Sequence, residues 1–156
     1  MNLAEALDVL AAPDMDVAKS NEPLRVIGAH LARLAGARQA GTVPLAVDPA
    51  GLALAAGAAD HFGSARPSVV AVTARPYMRP VDLRWMTSRP PAGRPLAVFV
   101  YRITSGQTLR AVLEDLDRPR SAPPVTVLAV AALPEGVEAV RGDHPIAAVV
   151  TPKGSP

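Results

Sequence analysis

The sequence predicts an α/β protein built on a mostly parallel sheet of about five strands with helices on both faces. Three observations carry that expectation. The runs Val69–Thr73, Leu96–Tyr101, Val125–Ala131 and Ile146–Val150 are continuously apolar rather than alternating, as strands covered on both faces are. Stripes of apolar residues at helical spacing separate most of them, and such crossovers join parallel strands with right-handed connections. Finally, 156 residues, 49% apolar and 19% charged, suffice for one core and exclude wholesale disorder.

Taken in order, Leu3, Ala6, Leu7 and Leu10 mark a short amphipathic helix stopped by Pro13. A polar loop from Asp14 to Glu22 follows. Ser20 offers a capping oxygen to a second helix with the stripe Leu24, Ile27, Leu31 and Leu34, ending at Gly36. Thr42–Val47 is strand-like, with Pro44 placed near its start because proline cannot donate to a ladder. Asp48-Pro49-Ala50-Gly51 reads as a turn, and Gly51–Phe62 as a small-residue helix closed by Gly63. After the strand at 69–73, residues 76–93 hold four prolines, three arginines and the sole tryptophan, Trp85, without periodicity, and read as an irregular flap. The strand at 96–101 leads through a turn into a helix striped by Leu109, Val112, Leu113 and Leu116. The strands at 125–131 and 146–150 flank a short helix. No repeat or second unit is visible, so residues 1–156 read as a single domain.

Composition narrows the function classes. With no cysteine there is no disulfide, thiolate zinc site or thiol nucleophile. No apolar run approaches the roughly 20 residues that span a bilayer, and Asn2, Glu5 and Asp8 after Met1 give no basic leader. The expectation is a cytoplasmic protein without a membrane partner. Aromatics at 3% argue against a base-stacking platform. His30, His61 and His144 fall on separate elements, so no resident metal site is expected. Charge is unevenly placed. Residues 61–110 carry eight arginines against the single Asp82, whereas the segments on either side are net acidic. A basic block of this kind suggests an anionic partner, and the arginines of 66–110 make nucleic acid one candidate.

Ligands of open parallel sheets bind beyond the carboxyl ends of the strands. The loop 101–108 is the sharpest signal there. Thr104, Ser105 and Thr108 supply hydroxyls, Gly106 permits close backbone approach, and Gln107 opens a helix whose N-terminus attracts anions. The plain alternative is an ordinary helix cap. No Walker lysine and no G-x-G-x-x-G accompany the loop. Asp48, at the end of an earlier strand, either orders a magnesium-bound water or caps the following helix. Arg75 and Arg79 follow the strand 69–73 and are placed to meet a pyrophosphate or solvent. Glu114 and Asp115 read as solvent-facing. Trp85 offers an anchor for a lid or a docking point in a homodimer.

The segment LAVFVYRITSGQTLRAVLEDL resembles the phosphate loop of type I phosphoribosyltransferases, an apolar strand, two acids, two apolar residues, then T-T-G-x-T-L and a helix. VPLAVDPAGLALAAGAADHFG is similar to that family's pyrophosphate loop and helix, SVVAVTARP to its next strand, and VTVLAVAAL with HPIAAVVTP to its last strands. The resemblance covers about Leu24 to Thr151. It implies a 5′-phosphate held by Thr104, Ser105, Gly106, Gln107 and Thr108, and a pyrophosphate held by Asp48, Pro49, Ala50, Gly51 and Arg75. It also implies magnesium arriving with the phosphoribosyl donor, and displacement of pyrophosphate by a base nitrogen in an active member.

The sequence departs from that pattern where the ribose is held. Aligned on Gly106, the two acids fall on Val100 and Tyr101, a further acidic position found in some purine-salvage members falls on Thr104, and Arg102 replaces an apolar residue. Each lost charge-assisted hydrogen bond is worth about 1.5–3 kcal/mol. The expectation is therefore a phosphoribosyltransferase-like binder of a phosphorylated ribose or nucleotide, with transfer itself in question. The alternative is a non-catalytic nucleotide-sensing or nucleic-acid-binding regulator of the same fold.

Overall fold

The computed structural model describes residues 1–12, 20–34, 41–62, 69–75, 77–119, 121–141 and 146–150. The expected stops at Pro13, Gly36 and Gly63 lie outside them. Among the described residues six strands form one sheet in the order β3-β2-β1-β4-β5-β6. They are β1 Val43–Val47, β2 Val70–Arg75, β3 Asp82–Trp85, β4 Leu96–Ile103, β5 Val125–Ala132 and β6 Ile146–Val150. All pairings are parallel except β2 with β3. The five expected strands are present. The sixth, β3, lies inside the segment read as an irregular flap and corrects that reading for Asp82–Trp85. Its four residues are too short for a periodic pattern to show, and β2 supplies the pairing.

Pro44 sits in a central strand without breaking it. The Val43 N–H donates to the Pro95 carbonyl on the β4 side, so the Pro44 nitrogen faces β2, whose ladder begins only at Leu45. The missing donor leaves no bond unmade.

Alternate strand residues feed two cores. On one face Ala46, Ala97, Phe99 and Leu128 pack under α1 (Leu3–Ala11), α2 (Asn21–Leu34) and α3 (Asp48–Ala58). On the other, Leu45, Val98, Val100 and Val127 meet Leu109 and Val112 of α4 (Gln107–Leu116) and Val140 of α5 (Pro134–Val140). Asn2 closes α1 with a capping box, accepting from the Glu5 N–H at 2.9 Å while the Glu5 carboxylate accepts from its own at 2.8 Å. In α2, Leu24, Ile27 and Leu31 are buried, but Leu34 ends the stripe exposed. α2 and α3 touch backbone to backbone. A Cβ on Gly28 would strike the Leu54 carbonyl, and one on Gly57 the Arg25 carbonyl. Among the described residues no helix is long and apolar enough to cross a membrane.

Candidate functional site

The chain turns from β1 to β2 on one side and from β4 to β5 on the other, so the sheet's topological switch lies between β1 and β4. Their carboxyl ends diverge there, and a crevice of about 270 Å³ opens. Val47, Asp48 and Ala50 line one wall, and residues 100–109 the other.

The second wall is shaped by Gly106. It caps α4 at φ +81°, a conformation that L side chains rarely adopt, and brings no side-chain acceptor to the helix amides. No acid stands in the first turn of α4. Its first amides and positive dipole end therefore have no counter-charge within the helix's own first turn. Thr104 and Ser105 are exposed and Thr108 is half-buried. Ser105 Oγ accepts from the Gln107 N–H at a long 3.4 Å, leaving its own proton for a ligand. The loop is braced from behind. A Cβ on Gly136 of α5 would run into the Thr104 carbonyl, and one on Gly106 would lie 3.0 Å from the Gly136 oxygen. Gly106 is thus buried against α5, and close backbone approach there serves packing.

All five residues expected at the phosphate, 104 to 108, line this crevice. Of the five expected at the pyrophosphate, Asp48 and Ala50 line it, and Pro49, Gly51 and Arg75 do not. Residues 48–51 are not a separate turn but the first turn of α3, begun after Val47 with Pro49 setting the helical φ. Nor does Asp48 cap that helix. It takes φ +62°, and its Oδ1 accepts from the Ala74 N–H at 2.9 Å, tying α3 to the end of β2. Gly51 lets α3 lie on β4, since a Cβ would strike the Phe99 carbonyl. Arg75 lies 3.8 Å from Asp82 and lines a separate recess with Thr73, Leu83 and Arg84.

Val100 and Tyr101 line the crevice. Val100 is also 6% exposed and part of the α4-side core. Arg102 is exposed on the same wall. Among the described residues no group of three histidine, aspartate or glutamate side chains is placed to hold a metal. Among the described residues Asp48 is the one carboxylate lining the crevice, and one of its oxygens is already engaged.

Asp115 corrects its solvent-facing reading. Its Oδ2 accepts from the Trp85 indole N–H at 2.8 Å and lies 2.9 Å from an Arg89 nitrogen. The Arg89 guanidinium also stands 5.6 Å from the centre of the Trp85 ring. The segment after β3 is therefore fastened to the far end of α4. Nothing local in the sequence signals a contact spanning thirty residues.

An open, mostly parallel sheet with a crevice and a helix N-terminus at its switch point defines a class of α/β architecture. Within that class, this chain has the type I phosphoribosyltransferase-like fold. It matches a protein from Aquifex aeolicus at TM-score 0.77 and 17% identity, over 96% of this chain and 83% of that one. It matches purine phosphoribosyltransferase from Pyrococcus horikoshii at TM-score 0.59 and 14% identity, over 84% and 88%. Adenine phosphoribosyltransferase from Trypanosoma brucei, in complex with AMP, pyrophosphate and ribose-5-phosphate, matches at TM-score 0.61 and 15% identity, over 86% and 66%. No family model matches the sequence, and no curated protein does.

Proposed function

We propose that the protein binds a phosphorylated ribose or nucleotide in the crevice between β1 and β4, its phosphate seated on Thr104–Thr108. The observation that carries this reading is the convergence of those five residues on the α4 N-terminus at the switch point. The nucleotide and pyrophosphate complexes of the trypanosomal neighbour support it by analogy of fold. Aligned on Gly106, Val100 and Tyr101 replace the two acids of the resembled family's pattern, which supports a reading of binding without efficient phosphoribosyl transfer. With Asp48 as the one lining carboxylate among the described residues, magnesium would arrive chelated by the phosphates of the ligand.

Calorimetry with nucleoside monophosphates, phosphoribosyl pyrophosphate and inorganic phosphate, each with and without magnesium, tests this. Saturable binding of a phosphorylated ribose or nucleotide supports the reading, and no binding of any phosphate ligand removes it. Rapid turnover of phosphoribosyl pyrophosphate would show that other residues do the work of the acids.

The regulator reading rests on the arginine block. Arg84 projects from the β2–β3 hairpin beside Arg75, whereas Arg89 is engaged with Asp115 on α4. Binding of RNA or duplex DNA that falls steeply with salt would favour it.

A further inference from the structure

Among the described residues β3 is the terminal strand of the sheet and pairs only with β2. The pairing determines which main-chain groups it leaves over. The Met86 N–H donates to the Ala71 carbonyl at 2.8 Å, and the Arg84 carbonyl accepts from the Thr73 hydroxyl at 3.4 Å. Asp82, Arg84 and Met86 therefore turn their main-chain groups inward to β2. Alternation along the strand directs those of Leu83 and Trp85 outward from the edge. Side chains alternate as well. Leu83 and Trp85 pack toward the α4-side core, and Asp82 and Arg84 stand exposed on the opposite face. The Asp82 side chain is still 54% exposed beside Arg75, and Met86 is 61% exposed.

We propose that β3 is a self-complementary edge on which a second copy of this chain docks, the two strands running antiparallel about a two-fold axis through Leu83. In that register Leu83 exchanges both outward main-chain bonds with the partner's Leu83. Asp82 then lies directly opposite the partner's Arg84, and Arg84 opposite the partner's Asp82, in the closer, non-hydrogen-bonded type of pair. An axis through Arg84 or Asp82 would set like charges face to face, and one through Trp85 would pair no charges. Charge complementarity thus selects a single register. Charged residues usually blunt an edge strand, but here their order along the strand makes the edge match itself. A strand pair of this length buries less than the roughly 1,600 Å² of a standard interface, so the dimer is weak and concentration-dependent.

Sedimentation from micromolar to millimolar protein tests this directly. The parent chain dimerises as concentration rises. Asp82→Lys and Arg84→Glu each weaken self-association by about tenfold or more, and their equimolar mixture recovers it as a heterodimer with both charge pairs restored. Hydrogen exchange on the unmodified protein gives a readout independent of any variant. Protection of the Leu83 and Trp85 amides rises with protein concentration, while that of Arg84, bonded to β2, does not. A parent that stays monomeric at millimolar concentration overturns the proposal. So do variants that each associate as the parent does, or Leu83 and Trp85 amides indifferent to concentration.

Discussion

Gly106 and Gly136 meet face to face, with only 3.0 Å between the Cβ position of the first and the carbonyl oxygen of the second. The loop 104–108 is therefore held from behind by α5, and its geometry depends on two residues that need not touch a ligand. Gly106→Val should cost about 2–4 kcal/mol of stability, from a branched residue at positive φ and a clash with α5. Gly136→Ala should cost about 1–3 kcal/mol and displace the loop. Ser105→Ala, by contrast, should leave stability nearly unchanged and weaken nucleoside monophosphate binding roughly fivefold, about 1 kcal/mol. Denaturant titration and calorimetry on the three variants separate the effects. A Ser105→Ala protein that binds like the parent would count against the phosphate seat.

Acids placed at positions 100 and 101 test the proposed reading of the ribose side of the crevice. Val100→Asp with Tyr101→Asp should lower stability by about 2–4 kcal/mol, because the Val100 side chain is core as well as crevice wall. The folded fraction should gain affinity for magnesium phosphoribosyl pyrophosphate and none for inorganic phosphate. Equal gains for both ligands would mean the variant alters charge alone.

Asp48 combines a left-handed backbone with a hydrogen bond to the Ala74 N–H. Asparagine can keep both features, whereas alanine keeps neither comfortably. Asp48→Asn should therefore be nearly neutral, and Asp48→Ala should cost about 1–2 kcal/mol. Thermal unfolding of the pair checks this, and equal losses would show that the charge itself matters.

Trp85 is the sole tryptophan and so reports on its own latch. Asp115→Ala should lower stability by about 1–2 kcal/mol, since the carboxylate is partly exposed and its bonds are screened. It should also shift the indole emission to the red as the ring loosens. Emission identical to the parent would show that packing, not the carboxylate, holds the ring.

The legible parts of this molecule were those governed by local pattern. Continuous apolar runs placed four of the five parallel strands, because burial on both faces favours such runs, and β1 was read as strand-like despite Pro44. The loop 104–108 was legible for a similar reason, since hydroxyls and glycine ahead of an apolar helical stripe restrict what the backbone can do. β3 escaped because its pairing energy comes from β2 and not from its own four residues. Arg75 was placed by its position after a strand, but its neighbour Asp82 on β3 is visible only once the hairpin exists. The same holds for Asp115, whose partners are set by tertiary structure alone.

The place of β1 bears on the order of events as the chain folds. Val43 pairs with Leu96 and Ala46 with Phe99, although β2, β3 and the following proline-rich segment intervene. A nascent chain that has reached only Pro95 has half of its central strand bare and no Phe99 backbone for Gly51 to rest on. Loop closure over that span costs entropy before any of those contacts can reward it. The contacts that β1 and Gly51 make with β4 therefore cannot form until β4 has been synthesised, whatever the helices before it have already packed.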